Sequence, residues 1–349
     1  MTIESVRTEG RLQELDALRG LAALVVVLFH YTSRYDVVFG HNSAPLVSAP
    51  WGHFGVNLFF GISGFVIFMT LGRTKTPADF IVSRFSRLYP AYWMSIALTT
   101  AVVSLGVLPD LQKPLWVIAA NLTMVHGAAD IPSVDGVYWT LLVELFFYAL
   151  MLGLFMTRLL GRIELVLVFW IGLKWLWWGT AAFAGIDLSY KIGLLLVQQY
   201  IPFFALGIAA YRLMTGAVPA IRPLLLIAFS LATIGVIDGL DHLVVALITA
   251  ALLLAIAFGK ARLLAAAPLL ALGAISYPLY LLHEYIGWTI IAAVEAQGVN
   301  ANLAILIALI LVIALSAAVT FLVERPAMRA IRDRYKAMKA KRELAPAAE

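Results

Sequence analysis

Residues 16–31 read DALRGLAALVVVLFHY, and this stretch decides the fold class. From Leu18 onward eleven of its residues are aliphatic or aromatic, yet Arg19 stands near one end and His30 near the other. About 20 predominantly apolar residues in helical form cross a hydrocarbon core of ~30 Å. Ten runs of that length recur, near 16–34, 54–72, 90–108, 137–157, 163–184, 191–212, 222–239, 242–259, 269–293 and 302–324. The chain is 62% hydrophobic and only 13% charged, with a mean hydropathy of +0.93. A soluble domain carries about twice that charge fraction. The expectation is an all-α, polytopic integral membrane protein with about ten transmembrane helices.

Composition also excludes several chemistries. There are no cysteines among the 349 residues, so disulfides, thiol nucleophiles and cysteine-ligated metals are ruled out. The first residues are polar and no small-residue cleavage site follows an apolar region, so no cleavable signal peptide is expected. The net charge of +5 is not spread like that of a nucleic-acid binder. With the N-terminus in the cytoplasm and ten alternating spans, twenty of the 25 lysines and arginines fall on the inner side. They include Arg7, Arg11, Arg73, Lys75, Arg84, Arg87, Arg158, Arg162, Arg212, Arg222, Lys260 and Arg262, with eight more between 325 and 342. Only Arg34, Lys113 and Lys191 fall outside, and one miscounted span would invert every later loop. Both termini are therefore expected in the cytoplasm and the basic tail on anionic lipid. The organisation is one transmembrane domain, 1–326, and a basic cytoplasmic tail, 327–349, read as an amphipathic helix with a disordered end. Residues 78–90 read as a charged surface elbow, and 114–125 as a segment too short to cross.

Arg19 and His30 are eleven residues apart, within about 20° of three full turns, so they share a stripe about 16 Å long. A polar stripe running into the outer half of a span faces a cavity rather than lipid. Other spans add polar groups at that depth: Glu144 with Trp139 one turn above it, His283, Asn57, Ser63, Gln198 and Gln199. A carboxylate in hydrocarbon is costly unless paired. At the inner side, RFSRLYP sets Arg84 and Arg87 one turn apart. With Arg19 they form a three-arginine patch suited to phosphate, which guanidinium binds through paired hydrogen bonds.

These motifs, in their order, resemble the bacterial acyltransferase 3 family, whose members O-acylate sugars of lipopolysaccharide, exopolysaccharide and related glycans. The resemblance rests on LDALRGLAALVVVLFHY with Arg19 and His30, GVNLFFGISGFVIF, the paired arginines of RFSRLYP, WTLLVELFFY with Glu144, ISYPLYLLHEY with His283, and VERP with Glu324. It covers nearly the whole chain. Two departures stand out: the chain looks like a stand-alone form without the fused SGNH hydrolase-like domain, and Asn57 stands where an aspartate is more usual.

The resemblance implies acetyl-CoA as donor at the inner mouth, held by Arg19, Arg84 and Arg87. It implies His30 as general base or transient acyl carrier, with Glu144 orienting it. Asn57, Ser63, Trp139 and His283 are candidate groups for the substrate or its oxyanion. No metal site is expected. The acceptor would be a hydroxyl of a cell-envelope or exopolysaccharide glycan, free or lipid-linked, and the location the bacterial inner membrane. Three rivals compete. A proton-coupled transporter would explain Lys174 in span five but lacks an inverted repeat. Another class of membrane O-acyltransferase also uses an intramembrane histidine, without this arginine–histidine spacing. A non-enzymatic scaffold for polysaccharide export would not need His30.

Overall fold

The computed structural model describes residues 12–344, and no strand occurs among them. Arg7, Arg11 and the tail end, 345–349, lie outside the described residues. In chain order the helices are α1 (Gln13–Val38), α2 (Gly55–Gly72), α3 (Pro77–Val103), α4 (Leu115–Asn121), α5 (Trp139–Met156), α6 (Ile163–Ala184) and α7 (Tyr190–Leu195). They continue as α8 (Ile201–Thr215), α9 (Ile221–Asp238), α10 (Leu240–Ala257), α11 (Ala267–Leu282), α12 (Glu284–Glu295), α13 (Ala301–Val319) and α14 (Arg325–Leu344).

Helix lies over each of the ten expected ranges. By length and apolar composition, six helical stretches among the described residues are able to cross a membrane, and the bent pair α11–α12 makes a seventh. The class is therefore an all-α polytopic membrane protein, while ten crossings are not reached on that measure. Two expected spans are broken. The ninth bends by 75° at His283, between α11 and α12. The sixth is the short helix α7, then an irregular turn through Val197, then the 15-residue α8. In hydrocarbon every backbone group needs a partner, so such breaks survive only where they are buried in protein or line a cavity.

Small residues bring the helices together. In lipid there is little hydrophobic drive between apolar helices, so close packing and hydrogen bonds hold the bundle. α2 crosses α8 so tightly that a Cβ on Gly207 would lie 1.9 Å from the Gly61 carbonyl oxygen, and one on Gly64 2.1 Å from that of Phe204. α1 crosses α11 in the same way, where a Cβ on Gly273 would lie 2.2 Å from the Asp16 oxygen. Any larger residue at these points must push a backbone aside. The second crossing fixes α1, with its arginine and histidine, against the helix that leads to His283.

Helix α3 begins with a capping box. The Thr76 hydroxyl accepts from the Asp79 amide at 3.3 Å, the Asp79 carboxylate accepts from the Thr76 amide at 2.9 Å, and Pro77 fills the first turn. Thr76→Ala would cost ~1 kcal/mol at this terminus. The cap sets the register that aims Arg84 and Arg87. The tail helix α14 continues from α13 through a π-turn, Thr320–Glu324, and docks on α3. Arg332 donates to the Ser86 hydroxyl at 3.0 Å, and Tyr335 and Lys339 donate to Asp79 at 2.9 and 3.0 Å.

Candidate active site

The expected residues assemble into two adjoining centres. At the first, His30 opens a π-turn, His30–Arg34, inside α1, while His283 sits at the break between α11 and α12. A π-turn widens the helix by one residue and is a common device at functional sites. Here it turns His30 toward α12, whose Trp288 indole donates to the His30 carbonyl at 2.8 Å. The imidazoles meet, with His283 Nε2 3.1 Å from His30 Nδ1.

The surrounding acceptors assign the tautomers. His283 Nδ1 donates to the Tyr280 carbonyl at 2.7 Å, which leaves its Nε2 as an acceptor. His30 Nδ1 lies 2.9 Å from the Val26 carbonyl, an acceptor only, so it carries the proton and shares it with His283. His30 Nε2 is then left with its lone pair. It lies 3.7 Å from the Glu284 carboxylate, too long for a hydrogen bond and close enough to stabilise an imidazolium. Glu284 is buried against Gly136, where a Cβ would meet its Oε2 at 2.4 Å. Beside it the buried Asp135 accepts from the amides of Val137 and Tyr285 at 3.3 and 3.2 Å, pinning the start of α5 to the start of α12.

The second centre is a cavity of about 180 Å³ lined by Arg19, Arg84, Arg87, Glu144, Tyr148 and Tyr280, among others. The Glu144 carboxylate accepts from Ser63 at 2.9 Å and from Tyr148 at 2.5 Å. Arg87 pairs with Glu324, the last residue of the π-turn after α13, and its guanidinium lies 5.5 Å from the Tyr277 ring centroid. Arg84 lies 5.9 Å from the Tyr148 ring, and its buried Nε has no partner. Arg84 also lines a neighbouring groove of about 490 Å³ with Arg73, Lys75, Arg332 and Lys339. Tyr280 joins the two centres. Its side chain lines the cavity and meets the Thr140 hydroxyl at 3.0 Å, while its carbonyl holds His283.

The structure brings some of the expected residues together and separates others. His30 meets His283, and Arg19, Arg84 and Arg87 share one cavity as expected. The expected pairing of Glu144 with His30 is corrected: Glu144 belongs to the arginine cavity and bonds Ser63 and Tyr148 there, and the carboxylate beside His30 is Glu284. Trp139 faces a different groove, with Lys174 and Gln198. Asn57 is buried in the first turn of α2 and is not among the residues lining the arginine cavity. Sequence reasoning gave no role to Glu284, Asp135, Tyr148 or Glu324. The first was visible as the acidic neighbour of His283, and Glu324 as part of VERP.

Comparison with known proteins gives the chain relatives and a family. The chain is 36% identical over 115 residues to the "Exopolysaccharide production protein ExoZ" of Rhizobium meliloti (strain 1021), covering 31% of this chain and 36% of that protein. It is 38% identical over 92 residues to "Protein 2 in picA locus" of Rhizobium radiobacter, 25% of this chain and 43% of the relative. It is 29% identical over 162 residues to "Nodulation protein 10" of Rhizobium leguminosarum bv. viciae, 40% and 43% of the two chains. The chain thus spans less than half the length of each of these curated relatives. No solved structure matches it. The acyltransferase domain, in contrast, matches residues 12–321, nearly the whole described chain, and the protein therefore belongs to the acyltransferase 3 family.

Proposed function

We propose that this protein is a membrane O-acyltransferase that moves an acetyl group from cytoplasmic acetyl-CoA to a hydroxyl of a cell-envelope or exopolysaccharide sugar. The observation that carries the reading is His30 Nε2, an unprotonated imidazole nitrogen backed by His283 and Glu284, and linked through His283 and Tyr280 to a cavity lined by three arginines. A hydroxyl is a weak nucleophile at neutral pH and needs a base within hydrogen-bond reach. The names of the relatives, one of them an exopolysaccharide production protein, support a glycan acceptor.

The donor's phosphates would lie at the arginine mouth, against Arg84 and the basic groove that Arg84 shares with Arg73, Lys75 and Arg332. The pantetheine arm would run along the cavity past Arg19 and Tyr280 toward His30. There the acceptor oxygen attacks the thioester carbon while His30 Nε2 takes the hydroxyl proton. The imidazolium is held by Glu284 and by the His283 acceptor until the tetrahedral adduct collapses. CoA then leaves as thiolate and takes the proton back from His30. Positive-inside charge supports a cytoplasmic mouth, with both termini on that side of the inner membrane. The test is transfer from radiolabelled acetyl-CoA to envelope glycan by the protein in reconstituted membranes. Labelled glycan that depends on this protein supports the reading, and no label on any glycan fraction refutes it.

A further inference from the structure

Lys174 and Trp139 have no part in the mechanism above, and they meet in one place. A groove of about 620 Å³ runs between α5, α6 and the break between α7 and α8. Its walls include Trp139, Trp177, Trp178, Gln198, Lys174 and Asp238.

Three observations mark this groove as a site. First, the break itself is costly. Val197 holds φ +46°, a left-handed conformation that a β-branched residue rarely adopts. Irregular backbone in a membrane bundle is tolerated where it serves a cavity. Second, Gln198 beside it is only 5% exposed, lines the groove, and has neither its amide nitrogen nor its oxygen hydrogen-bonded. A buried amide left empty on both sides calls for a ligand with both donors and acceptors. Third, the polar wall is rigid. Lys174 donates to both Asp238 oxygens at 2.8 and 2.6 Å and to the Gln199 carbonyl at 3.1 Å, locking the end of the α9 π-turn to the broken strand of chain.

The groove also adjoins the arginine cavity. The Trp139 ring lies tilted 5.8 Å from that of Tyr200, Tyr200 meets Phe60 at 4.6 Å, and Phe60 lines the arginine cavity. Thr140, the next residue after Trp139, is the one that meets Tyr280. A hydrocarbon chain would satisfy the tryptophans but leave the Gln198 amide unpaired. A sugar ring satisfies both, because its C–H faces cover indole rings while its hydroxyls both donate and accept.

We propose that this groove is an acceptor subsite that binds a pyranose unit of the glycan, with indole rings against the sugar face and the Gln198 amide bonded to its hydroxyls. This rests on the acyltransferase reading for the identity of the acceptor, but binding is measurable without transfer. The probe is a set of oligosaccharides released by mild acid from the cell's own exopolysaccharide. Binding to the full chain in nanodiscs is read by saturation-transfer NMR and by tryptophan fluorescence, with no donor present. Gln198→Leu keeps the side-chain size and removes both polar atoms. It should weaken oligosaccharide binding and raise the acceptor KM about tenfold, the size of one to two lost hydrogen bonds, with kcat and acetyl-CoA affinity unchanged. Trp177→Ala should do the same, and unchanged acetyl-CoA affinity certifies that both variants fold. Wild-type sugar affinity and acceptor KM in both variants would overturn the subsite while leaving the acyltransferase reading intact. Weakened sugar binding in a protein that transfers no acyl group would do the reverse. A lipid tail retained by the wild type in native mass spectrometry and lost from Trp177→Ala, with sugar affinity unmoved, would overturn the proposal in favour of a lipid groove.

Discussion

The arginine cavity and the histidine pair lie side by side, but the chain builds them by opposite means. Arg84 and Arg87 stand on α3, a 27-residue helix with a capping box, and their one-turn spacing is ordinary helical geometry. His30 and His283 both stand where helical geometry stops, one opening a π-turn and the other at a 75° break. Glu324 and Asp238, which hold Arg87 and Lys174, each end another π-turn. Arg87 and Lys174 ride on regular helices, and the carboxylates that answer them sit where a helix is interrupted. An interruption redirects a side chain without changing the depth of its helix. Charge can therefore be placed by spacing, whereas proton chemistry needs groups from separate helices within about 3 Å.

The sharpest way to separate the two regions is His30→Ala. Loss of a general base costs about 10²–10⁴-fold in turnover. Acetyl-CoA affinity should remain, since Arg19 lies about 16 Å away along α1 and Arg84 and Arg87 stand on α3. Turnover comes from the radiolabel assay and affinity from calorimetry on the same monodisperse preparation. Near-normal transfer by this variant would move the chemistry to another residue, with His283 the first to examine.

Next in size is the exchange of carboxylates. Glu284→Gln removes the charge that faces the His30 imidazolium and should lower kcat by about ten- to a hundredfold, as for a lost charge-assisted interaction. Glu144→Gln keeps hydrogen-bonding capacity toward Ser63 and Tyr148 in the arginine cavity, so its effect should fall on acetyl-CoA KM more than on kcat. If Glu144→Gln costs more turnover than Glu284→Gln, the assignment of the two carboxylates is reversed.

That exchange also measures what the sequence could show. The spans, the basic asymmetry and the stripe from Arg19 to His30 are all written in periodicity and charge. Depth alone brought His30 and His283 to a common level. Rotation about each helix axis was not legible. Glu284 follows His283 directly and in a continuous helix would point about 100° away from it. The break at His283 changes that, and neither glycine nor proline at 283 or 284 announces it. Pro278, five residues earlier, lies inside α11 without ending it. The π-turn at His30 has no sequence signal either. Glu144 was placed by depth against the wrong partner because the cavity lined by Tyr280 reaches the level of α5 where Glu144 stands.

The arginines give a smaller and cleaner effect. Arg84 meets Ser83 and the rings of Phe80 and Tyr148, and it lines both the cavity and the basic groove. Arg84→Ala should weaken acetyl-CoA binding about tenfold, and Arg84→Lys less, because lysine keeps the charge but not the planar fork. Arg87 is a poorer probe. Its removal leaves Glu324 buried without its cation, so Arg87→Ala should lower the unfolding temperature as well as affinity. Unchanged acetyl-CoA affinity in Arg84→Ala would remove phosphate from this mouth.

The smallest effect is expected at the edge of the same mouth, where α14 docks on α3. Lys339, then Thr76 and Tyr335, bond the Asp79 carboxylate and hold it below the usual carboxylate range. A carboxylate depressed on docking contributes attachment at any pH above its free value near ~4, and the contribution is lost as pH falls through the lower docked value. Between pH 7 and 5 the tail should therefore stay docked, and only stronger acid should release it. Asp79 is part-exposed, with its side chain 24% accessible, so the pair is worth at most ~1 kcal/mol, or about fivefold in the docked population. Asp79→Asn should raise the rate of tryptic cleavage within α14 by no more than that factor at pH 7, and remove the acid-induced rise. Because Arg332 and Lys339 form one wall of the basic groove, the same variant should weaken acetyl-CoA binding slightly and leave kcat alone. Release of the tail between pH 7 and 5 would assign its attachment to some group other than Asp79.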